Sequence, residues 1–456
     1  MHAIAVAALS ARQLAQAAAR AGLEVVALDA FGDRDTCAAA SRWVPIGASG
    51  ALRIDAARLL DALRSLARGG AVQAWIAGSG FEACPELLEQ GAALLPLLGT
   101  AGADVRRVRD PKTFFDTLDA LGIAHPEVRL DSAGLGEGWL IKDFGACGAS
   151  HIRHAGDAPD RSPIFSLSGT RQPKAGAFRV PESGLCSLSL RERVGVRVYA
   201  QREAAGTPMS ATFIGYGSRA LLLGCNRQIV RPFDGGPYRF HGVIGPLAVP
   251  APVRREIARM LDALTAAFAL RGLGSLDFLL DGHTVRVLEV NPRPPASLAL
   301  YPRVGDQPVF RAHLAACAAD GDSDFPDNPW RTGAARDAAA ASAAAAAAAD
   351  ADADVDVDVD ADTISAAEKP VRGTEIIFAP RPVRLSATAA AQLATLPATH
   401  DLPRDASPGS HATHFAPGEP LCSVSASGAD LASVLAELAR RRDAVLDILQ
   451  VPETVE

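Results

Sequence analysis

Hydrophobic and polar residues alternate in short blocks along the first hundred residues. Residues 4–8 and 24–29 are apolar runs of strand length, and Ser10 and Gly22 are placed to begin and end a helix over residues 11–21. A strand, a helix and a second strand in this order predict a βαβ unit with parallel strands. No Gly-x-Gly-x-x-Gly follows the first strand, so the unit is not predicted to bind a dinucleotide.

The same alternation continues with a helix at residues 56–67 and strands at residues 71–77 and 94–98. Residues 1–105 therefore predict a small, doubly wound parallel sheet. Residues 78–82, Gly-Ser-Gly-Phe-Glu, form a glycine-rich turn after a strand, and backbone N–H groups of such a turn could meet an anion. A tight turn without a ligand explains the same glycines.

Residues 274–297 predict a β-hairpin with polar groups on one face. Two apolar strands flank an Asp-Gly turn at residues 281–282. Side chains alternate across a strand, so Glu289 and Asn291 share a face, and the hairpin can bring Asp277 to it.

Two carboxylates and an amide on adjacent strands are poor material for a core, because burying an unpaired charge is costly. They suit Mg²⁺, which prefers oxygen ligands and leaves positions open for water and phosphate oxygens. Arg293 follows closely and is placed to meet a developing negative charge. A surface hairpin whose acidic groups are solvated or paired with arginine is the alternative interpretation.

Two lysines mark further candidate anion sites. Lys142 ends a predicted strand, and a loop with Gly145 and Gly148 follows it. Lys112 lies in the first turn of a predicted helix, residues 111–121, where a cation is unfavourable unless an anion is nearby. A surface lysine is the alternative for Lys112. The Gly-Lys-Ser/Thr ending of a P-loop is absent.

The middle of the chain predicts a second run of strands. Residues 197–202 form a strand that carries Gln201 just before a turn, and two more strands follow. Residues 233–241 predict a glycine- and aromatic-rich loop, and a long amphipathic helix at residues 252–270 leads into the hairpin. Four side chains could face a second substrate, although solvent exposure is the simpler interpretation of each: Arg231, Tyr238, Arg239 and His241.

Composition distinguishes three further segments of the chain. Residues 319–369 are an alanine- and aspartate-rich linker, in which self-repulsion among the aspartates favours an extended chain. Residues 151–192 are rich in Pro, Gly and Ser and predict an irregular insertion. Residues 370–456 predict a small β-rich module closed by a helix at Leu431–Ile448.

The 456-residue chain is 48% hydrophobic, and its length is typical of about three domains. Its formal net charge is -7, which the aspartate-rich run accounts for, so nucleic acid is not a predicted partner. The seven cysteines form no Cys-x-x-Cys pair and are interpreted as reduced thiols. No apolar run reaches the roughly 20 residues of a membrane span, and the N-terminus lacks a basic signal segment. We therefore expect a cytoplasmic protein without a membrane partner.

The polar set Asp277, Glu289, Asn291 and Arg293, in this order and spacing, resembles the metal-binding hairpin of the ATP-grasp superfamily. The Glu-x-Asn-Pro-Arg sequence resembles that of predicted ATP-dependent carboligases related to biotin carboxylase, which itself has glutamate in place of Asp277. The resemblance implies an ATP-grasp fold, α/β overall and α+β in the nucleotide domain. It implies an N-terminal doubly wound parallel-sheet domain (1–105), a nucleotide-binding catalytic domain (106–318), a disordered linker (319–369) and a small C-terminal β-rich module with a closing helix (370–456).

The resemblance also implies roles for single residues. Two Mg²⁺ or Mn²⁺ ions would be held by Asp277, Glu289 and Asn291, with Glu289 bridging them. The implied contacts to ATP are made by Lys112, Lys142, Gly145 and Gly148 at the phosphates and by Gln201, Arg202, Glu203 and Ala204 at the nucleoside. Within this set Gln201 would face the exocyclic amine, and Glu203 would face the ribose. Arg293 and Lys142 would stabilise charge during catalysis.

The implied activity is an ATP-dependent ligation of a small carboxylate to an amine or related nucleophile. It proceeds through an acyl phosphate and releases ADP and phosphate, with biosynthesis of a one-carbon cofactor as the analogous pathway. Carboxylation in the manner of biotin carboxylase is an alternative, although residues 294–296 replace the biotin-site pattern. An ATP-binding regulator or scaffold without ligase activity is the alternative from another class. The sequence does not decide between a monomer and a homo-oligomer.

Overall fold

The computed structural model describes residues 3–48, 52–131, 135–145, 152–157, 198–233, 236–318, 370–403 and 413–449. Its helices are α1 (Arg12–Arg20), α2 (Arg34–Ala39), α3 (Ala56–Gly69), α4 (Glu86–Ala92), α5 (Gly102–Arg109), α6 (Pro111–Ala120), α7 (Ala251–Phe268), α8 (Val309–Ala318), α9 (Ala387–Leu393) and α10 (Leu431–Ile448). The predicted linker and most of the predicted insertion lie outside the described residues.

The strands occur in five sheets. In chain order they are β1 (Ala3–Ala7), β2 (Glu24–Asp29), β3 (Arg42–Pro45), β4 (Val72–Ala77), β5 (Val128–Arg129), β6 (Trp139–Asp143), β7 (Arg153–His154), β8 (Val198–Arg202), β9 (Thr207–Tyr216), β10 (Ala220–Phe233), β11 (Gly236–Leu247), β12 (Arg271–Asp281), β13 (Thr284–Asn291), β14 (Arg303–Val304), β15 (Gln307–Pro308), β16 (Val371–Phe378), β17 (Val383–Leu385), β18 (Thr399–His400), β19 (Thr413–Phe415) and β20 (Pro420–Gly428).

The N-terminal sheet is parallel, in the order β3-β2-β1-β4, which confirms the doubly wound prediction. Strand β1 is buried on both faces: Ile4 and Val6 pack in one cluster with α1 and α8, and Ala5 packs in another with α3. A strand that is covered on both faces needs apolar residues at every position, and β1 has them. Because β2 and β4 lie on opposite sides of β1, the loops after β1 and β4 flank the switch point of the sheet, where ligands bind in open α/β folds.

The central sheet has the order β13-β12-β9-β10-β11-β16-β20-β18, and every pairing in it is antiparallel. Helix α7 covers one face through Ile257, Leu261 and Phe268, which pack with Phe278 and Val287 of the hairpin. The C-terminal strands β16, β20 and β18 continue this sheet beyond β11. The expected β-rich segment is therefore joined to the nucleotide domain by strand pairing.

A smaller antiparallel sheet, β5-β8-β6-β7, lies over the cavity side of the molecule. It presents Lys142 on β6 and Gln201 on β8. Their side chains hydrogen-bond to each other.

Three local predictions are wrong. The segment 233–241 was predicted to be a loop, but Phe233 ends β10 and residues 236–241 begin β11, so these residues belong to the central sheet. The predicted strand at residues 94–98 reduces to a single bridge between Trp75 and Leu97. Ser10 does not cap α1; instead the buried carboxylate of Asp29 accepts from the backbone N–H of Ala11.

Candidate active site

The hairpin β12–β13 brings the predicted polar set together. Asp277 is the register partner of Glu289, and Ser275 is the partner of Asn291. The amide nitrogen of Asn291 donates to Asp277 Oδ2 at 3.3 Å and to Ser275 Oγ at 3.4 Å. This leaves the amide oxygen of Asn291 as the atom suited to meet a cation.

A β-bulge makes this arrangement possible. Phe278 pairs with Val287 and Asp277 with Glu289, so Leu288 is an extra residue on β13. Val287 packs in the core under α7. Strict alternation would send Glu289 to the same face as Val287, and the bulge moves it to the opposite one. Val290 then returns to the core, and Asn291 joins Glu289 in the cavity.

The two carboxylates of the hairpin are close enough to affect each other's protonation. Burial and the neighbouring charge of Glu289 raise the pKa of Asp277 to about 7. Two carboxylates opposed across a strand pair are a strained arrangement that a bound divalent cation would relieve. Within the described part of the chain, no three His, Cys, Asp or Glu side chains cluster as a complete protein-only metal site. The donor set fits Mg²⁺, which takes few protein ligands and completes its shell with water and phosphate oxygens.

Arg109 also lines the cavity, although the sequence analysis did not single it out. Its Nη1 donates to Glu289 Oε2 at 3.1 Å, and its Nη2 donates to the backbone oxygen of Phe144 at 2.6 Å. Burial alone would lower the pKa of this guanidinium, but Glu289 and Glu82 outweigh it and raise the pKa. Arg109 therefore ties the metal-type hairpin to the start of the glycine-bearing loop.

Lys142 and Gln201 form a second polar pair in the cavity. Lys142 Nζ donates to Gln201 Oε1 at 2.6 Å, and both side chains are buried. Burial lowers the pKa of Lys142, and the charges of Glu289 and Asp277 oppose that shift. Because Lys142 can only donate, it fixes the orientation of the Gln201 amide, and Gln201 Nε2 has no partner among the described residues. An orphaned buried donor in a cavity is what a ligand acceptor would satisfy.

Arg293 follows β13 and joins the hairpin to the N-terminal sheet. Its Nε donates to Glu82 Oε1 at 2.6 Å, and Glu82 Oε2 accepts from the backbone N–H of Gly80 at 2.7 Å. Burial would raise the pKa of Glu82, but Arg293 and Arg109 outweigh it and lower the pKa. The glycine-rich turn after β4 thus positions the carboxylate of Glu82 against the guanidinium of Arg293.

The remaining predicted phosphate contacts are less well placed. Lys112 is exposed, pairs with Asp116 at 2.5 Å one helical turn along α6, and does not line the cavity. Gly145 donates its N–H to Asp143 Oδ1 at 2.8 Å, and Gly148 lies outside the described residues. The cation that the structure brings to the cavity from this part of the chain is Arg109.

The predicted nucleoside residues line the mouth of the cavity. The backbone N–H of Arg202 donates to the backbone oxygen of Glu127. Its guanidinium carbon lies 5.7 Å from the centroid of the Trp139 ring. Glu203 accepts a hydrogen bond from the hydroxyl of Tyr238. Ala204 follows at the same edge.

The cavity encloses about 610 Å³ and reaches three parts of the chain. Helix α1 contributes Arg12, the hairpin contributes the acidic pair, and the C-terminal segment contributes Asp401 and Ser423. Arg12 Nε donates to Asp401 at 2.6 Å, and Arg12 Nη2 donates to Ser423 at 3.1 Å, so this wall is closed by contacts between the two ends of the chain.

Only Tyr238 of the four predicted second-substrate side chains lines the cavity. Arg231 pairs with the buried Glu375 at 2.5 Å. Arg239 stacks over Phe378 at 4.0 Å, and His241 is buried beside the same ring. These side chains join β10 and β11 to the C-terminal strands.

Arg109 and Glu82 are the functional candidates that sequence reasoning missed. Arg109 is the last residue of α5, and two residues separate it from Lys112, which was singled out. Glu82 ends the glycine-rich turn, and only its contact with a residue 211 positions away reveals its place in the site.

Fold and site together define an α/β protein in which a hairpin presents two carboxylates and an amide to a cavity. Residues 189–297 match the family model of the ATP-grasp domain, and this stretch includes Gln201 and the whole hairpin set. The chain has the ATP-grasp fold, which confirms the resemblance seen in the sequence.

Solved structures with the same fold cover nearly the whole chain. N5-carboxyaminoimidazole ribonucleotide synthetase from Thermus thermophilus is 13% identical, covers 100% of this chain and 99% of its own, and has a TM-score of 0.56. L-amino acid ligase from Bacillus licheniformis is 14% identical, with coverage of 97% and 98% and a TM-score of 0.57. Biotin carboxylase from Campylobacter jejuni is 11% identical, with coverage of 99% and 95% and a TM-score of 0.59. No curated protein sequence matches the chain.

The helices of the described residues include none that is both long and apolar enough to cross a membrane.

Proposed function

We propose that the protein is an ADP-forming, ATP-dependent ligase that joins a carboxylate to an amine or a related nucleophile. The observation that carries the proposal is the meeting of an acidic hairpin and three cationic side chains in one cavity. Asp277 and Glu289 form the acidic face, and Arg109, Lys142 and Arg293 surround it.

The nucleotide would lie between the small sheet and the central sheet. Gln201, Arg202, Glu203 and Ala204 would surround the base and ribose. Lys142 would turn from Gln201 to the phosphate oxygens, which would free Gln201 Oε1 to accept from the exocyclic amine. Arg109 replaces Lys112 as the second phosphate cation in this proposal, because Arg109 lines the cavity and Lys112 does not.

Asp277, Glu289 and the amide oxygen of Asn291 would hold Mg²⁺ or Mn²⁺. When bound, the cations would neutralise phosphate charge and hold the phosphates in place. We propose that these three residues would hold two such ions.

The chain's residues would act by positioning and charge stabilisation. A carboxylate oxygen of the substrate forms a bond to the γ-phosphorus, and the bond from that phosphorus to the β,γ-bridging oxygen breaks as ADP leaves. Arg293 and Lys142 would stabilise the charge on the transferring group. The amine then attacks the acyl carbon, phosphate leaves, and the amine loses a proton to solvent.

Bicarbonate is the alternative carboxylate. It is suggested by the fold shared with biotin carboxylase and N5-carboxyaminoimidazole ribonucleotide synthetase, whereas the fold shared with L-amino acid ligase suggests an organic acid. A regulator without chemistry would have little use for the three cations beside the acidic pair. Membership of a one-carbon cofactor pathway stays a prediction.

The test is an ADP-release assay with hydroxylamine as a general nucleophile. A library of carboxylates, bicarbonate included, is offered with Mg-ATP, and acyl phosphate is detected as hydroxamate. We expect ADP release and hydroxamate with a subset of the acids, and loss of both in Glu289→Gln. Production of AMP and pyrophosphate, or an unchanged yield in Glu289→Gln, would contradict the proposal. Nucleotide binding without turnover of any acid would favour the regulator.

A further inference from the structure

We propose that Glu82 is a positioning residue, by which the N-terminal sheet fixes the guanidinium of Arg293 in the catalytic cavity. The inference rests on the proposed function, since it assigns Arg293 a part in stabilising the transferring phosphoryl group. It adds a residue from outside the nucleotide domain to that site.

The contacts around Glu82 hold both of its oxygens. Oε1 accepts from Arg293 Nε at 2.6 Å, and Oε2 accepts from the backbone N–H of Gly80 at 2.7 Å. The side chain of Glu82 is 7% exposed and that of Arg293 is 19% exposed. A carboxylate locked at both oxygens is a rigid anchor, and charge-assisted hydrogen bonds are about twice as strong as neutral ones.

The place of Glu82 in the fold supports this role. It ends the turn that follows β4, at the switch point of the parallel sheet, where the backbone can reach a ligand crevice. Gly78 and Ser79 of the same turn line the cavity. A Cβ on Gly78 would lie 2.8 Å from Leu14 and 2.9 Å from the Cβ of Ala8, so the turn is packed tightly against the sheet.

The charge pattern indicates a directed contact. Arg109 and Arg293 both face Glu82, and Arg109 also binds Glu289. Glu82 therefore stands between two cations that would otherwise repel each other beside the acidic hairpin. Held through Nε, Arg293 cannot swing away from the cavity wall to which it contributes.

The test compares two nucleotide complexes by thermal unfolding. Mg-ADP probes nucleotide binding, and Mg-ADP with aluminium fluoride probes the geometry of a phosphoryl group in transfer. Glu82→Gln keeps the shape and removes the charge. Glu89→Gln is the matched control, because Glu89 pairs with Arg106 on the exposed surface of α4 nearby.

We expect Glu82→Gln to bind Mg-ADP as the wild type does and to bind the aluminium fluoride complex about tenfold more weakly. Arg293→Gln should lose the same increment, and adding Glu82→Gln to it should cause no further loss. If Glu82→Gln does not fold, Arg293→Lys supplies the same test, since lysine keeps the charge and lacks the Nε–H contact.

Two results would overturn the inference. If the wild type responds to aluminium fluoride and Glu82→Gln keeps the full response, Glu82 does not position Arg293, and the proposed function stands. If the wild type responds to neither probe, the proposed function fails and the inference fails with it.

Discussion

At the scale of single residues, the structure reassigns the cation that precedes helix α6. Sequence reasoning chose Lys112 because a lysine near a helix start suggests an anion, but Lys112 is exposed and satisfied by Asp116. Arg109 is buried and contacts both Glu289 and Phe144. Arginine far outnumbers lysine in this chain, which made the rarer residue look informative, and only packing shows which of the two lines the cavity.

Arg109 and Lys112 form a matched pair for mutation. We expect Arg109→Gln to weaken Mg-ATP binding at least tenfold, because a buried charge-assisted contact to the phosphates and to Glu289 is lost. Lys112→Gln should change binding less than about twofold. Isothermal titration of both variants decides between the residues, and equal losses would restore Lys112 to the site.

His313 gives the protein a specific sensitivity to acid. Its Nδ1 accepts from the backbone N–H of Leu273 at 2.9 Å, and the ring also bonds the backbone of Leu98, so the neutral ring satisfies both nitrogens. Burial lowers the pKa of His313 to about 4. In the unfolded chain the pKa of histidine is ~6.5. Between that pH and about pH 4 this histidine is therefore protonated in the unfolded state and neutral in the folded state.

The free energy of unfolding should therefore fall as the pH drops from about 6.5 to about 4, with a slope of up to ~1.4 kcal/mol per pH unit from this one group. Urea unfolding across that range measures the slope. His313→Gln should reduce the slope without abolishing it, because burial also lowers the pKa of His241, whereas His283→Gln, at the exposed hairpin turn, should leave it unchanged. A slope that His313→Gln does not alter would contradict the assignment.

At the scale of elements, the hairpin shows how far sequence patterns reach. The Asp-Gly turn and the two apolar strands are visible in the sequence, but a regular hairpin built from them would pair Asp277 with Leu288 and not with Glu289. The bulge at Leu288 is not visible, because no glycine or proline marks it. Strict alternation from Val285 and Val287 would have placed Glu289 and Asn291 in the core, so the site depends on an irregularity that only packing determines.

The pairing of β11 with β16 could not be predicted from the sequence either, because the linker separates the two strands along the chain. Gly242 lies where the strands meet, and a Cβ there would be 2.0 Å from the backbone oxygen of Thr374. The loop predicted over residues 233–241 was wrong because Phe233 ends β10 and residues 236–241 lie in β11.

Gly242→Ala should destabilise the protein by about 2 kcal/mol, because backbone must shift to admit the methyl group. Gly99→Ala is the control, since a Cβ on Gly99 meets nothing within 4 Å. Urea unfolding of the two variants measures the difference, and equal stability would show that the two strands do not approach this closely.

At the scale of the whole molecule, the two ends of the chain close the cavity together. Arg12 of α1 bonds Asp401 and Ser423 of the C-terminal segment, and Asp35 bonds the backbone N–H of Asp401. The sequence predicted a C-terminal module with helix Leu431–Ile448, which matches α10. It could not show that this module walls the cavity, because such contacts join residues almost 400 positions apart.

Asp401→Asn tests this closure while keeping the left-handed backbone that asparagine tolerates. We expect a loss of about 1–3 kcal/mol in the free energy of unfolding, because Arg12 is left as a buried charge without its partner. Asp61→Asn, which removes an exposed bridge to Arg64, should cost less than about 0.5 kcal/mol. Equal effects would mean that the two ends are not coupled through Arg12.

The central claim is that the hairpin binds ATP through divalent cations, and a thermal-unfolding titration with Mg-ATP tests it most directly. The variant is Asp277→Asn/Glu289→Gln, and the control is Asp281→Asn on the same hairpin, where Asp281 pairs with Arg286 at the exposed end. Ligand at 100 times its Kd stabilises the folded state by about 2.7 kcal/mol. We predict a Mg²⁺-dependent rise in Tm for the wild type and the control, and little or none for the double variant. No rise at millimolar Mg-ATP in the wild type, or an equal rise in the double variant, would contradict the claim.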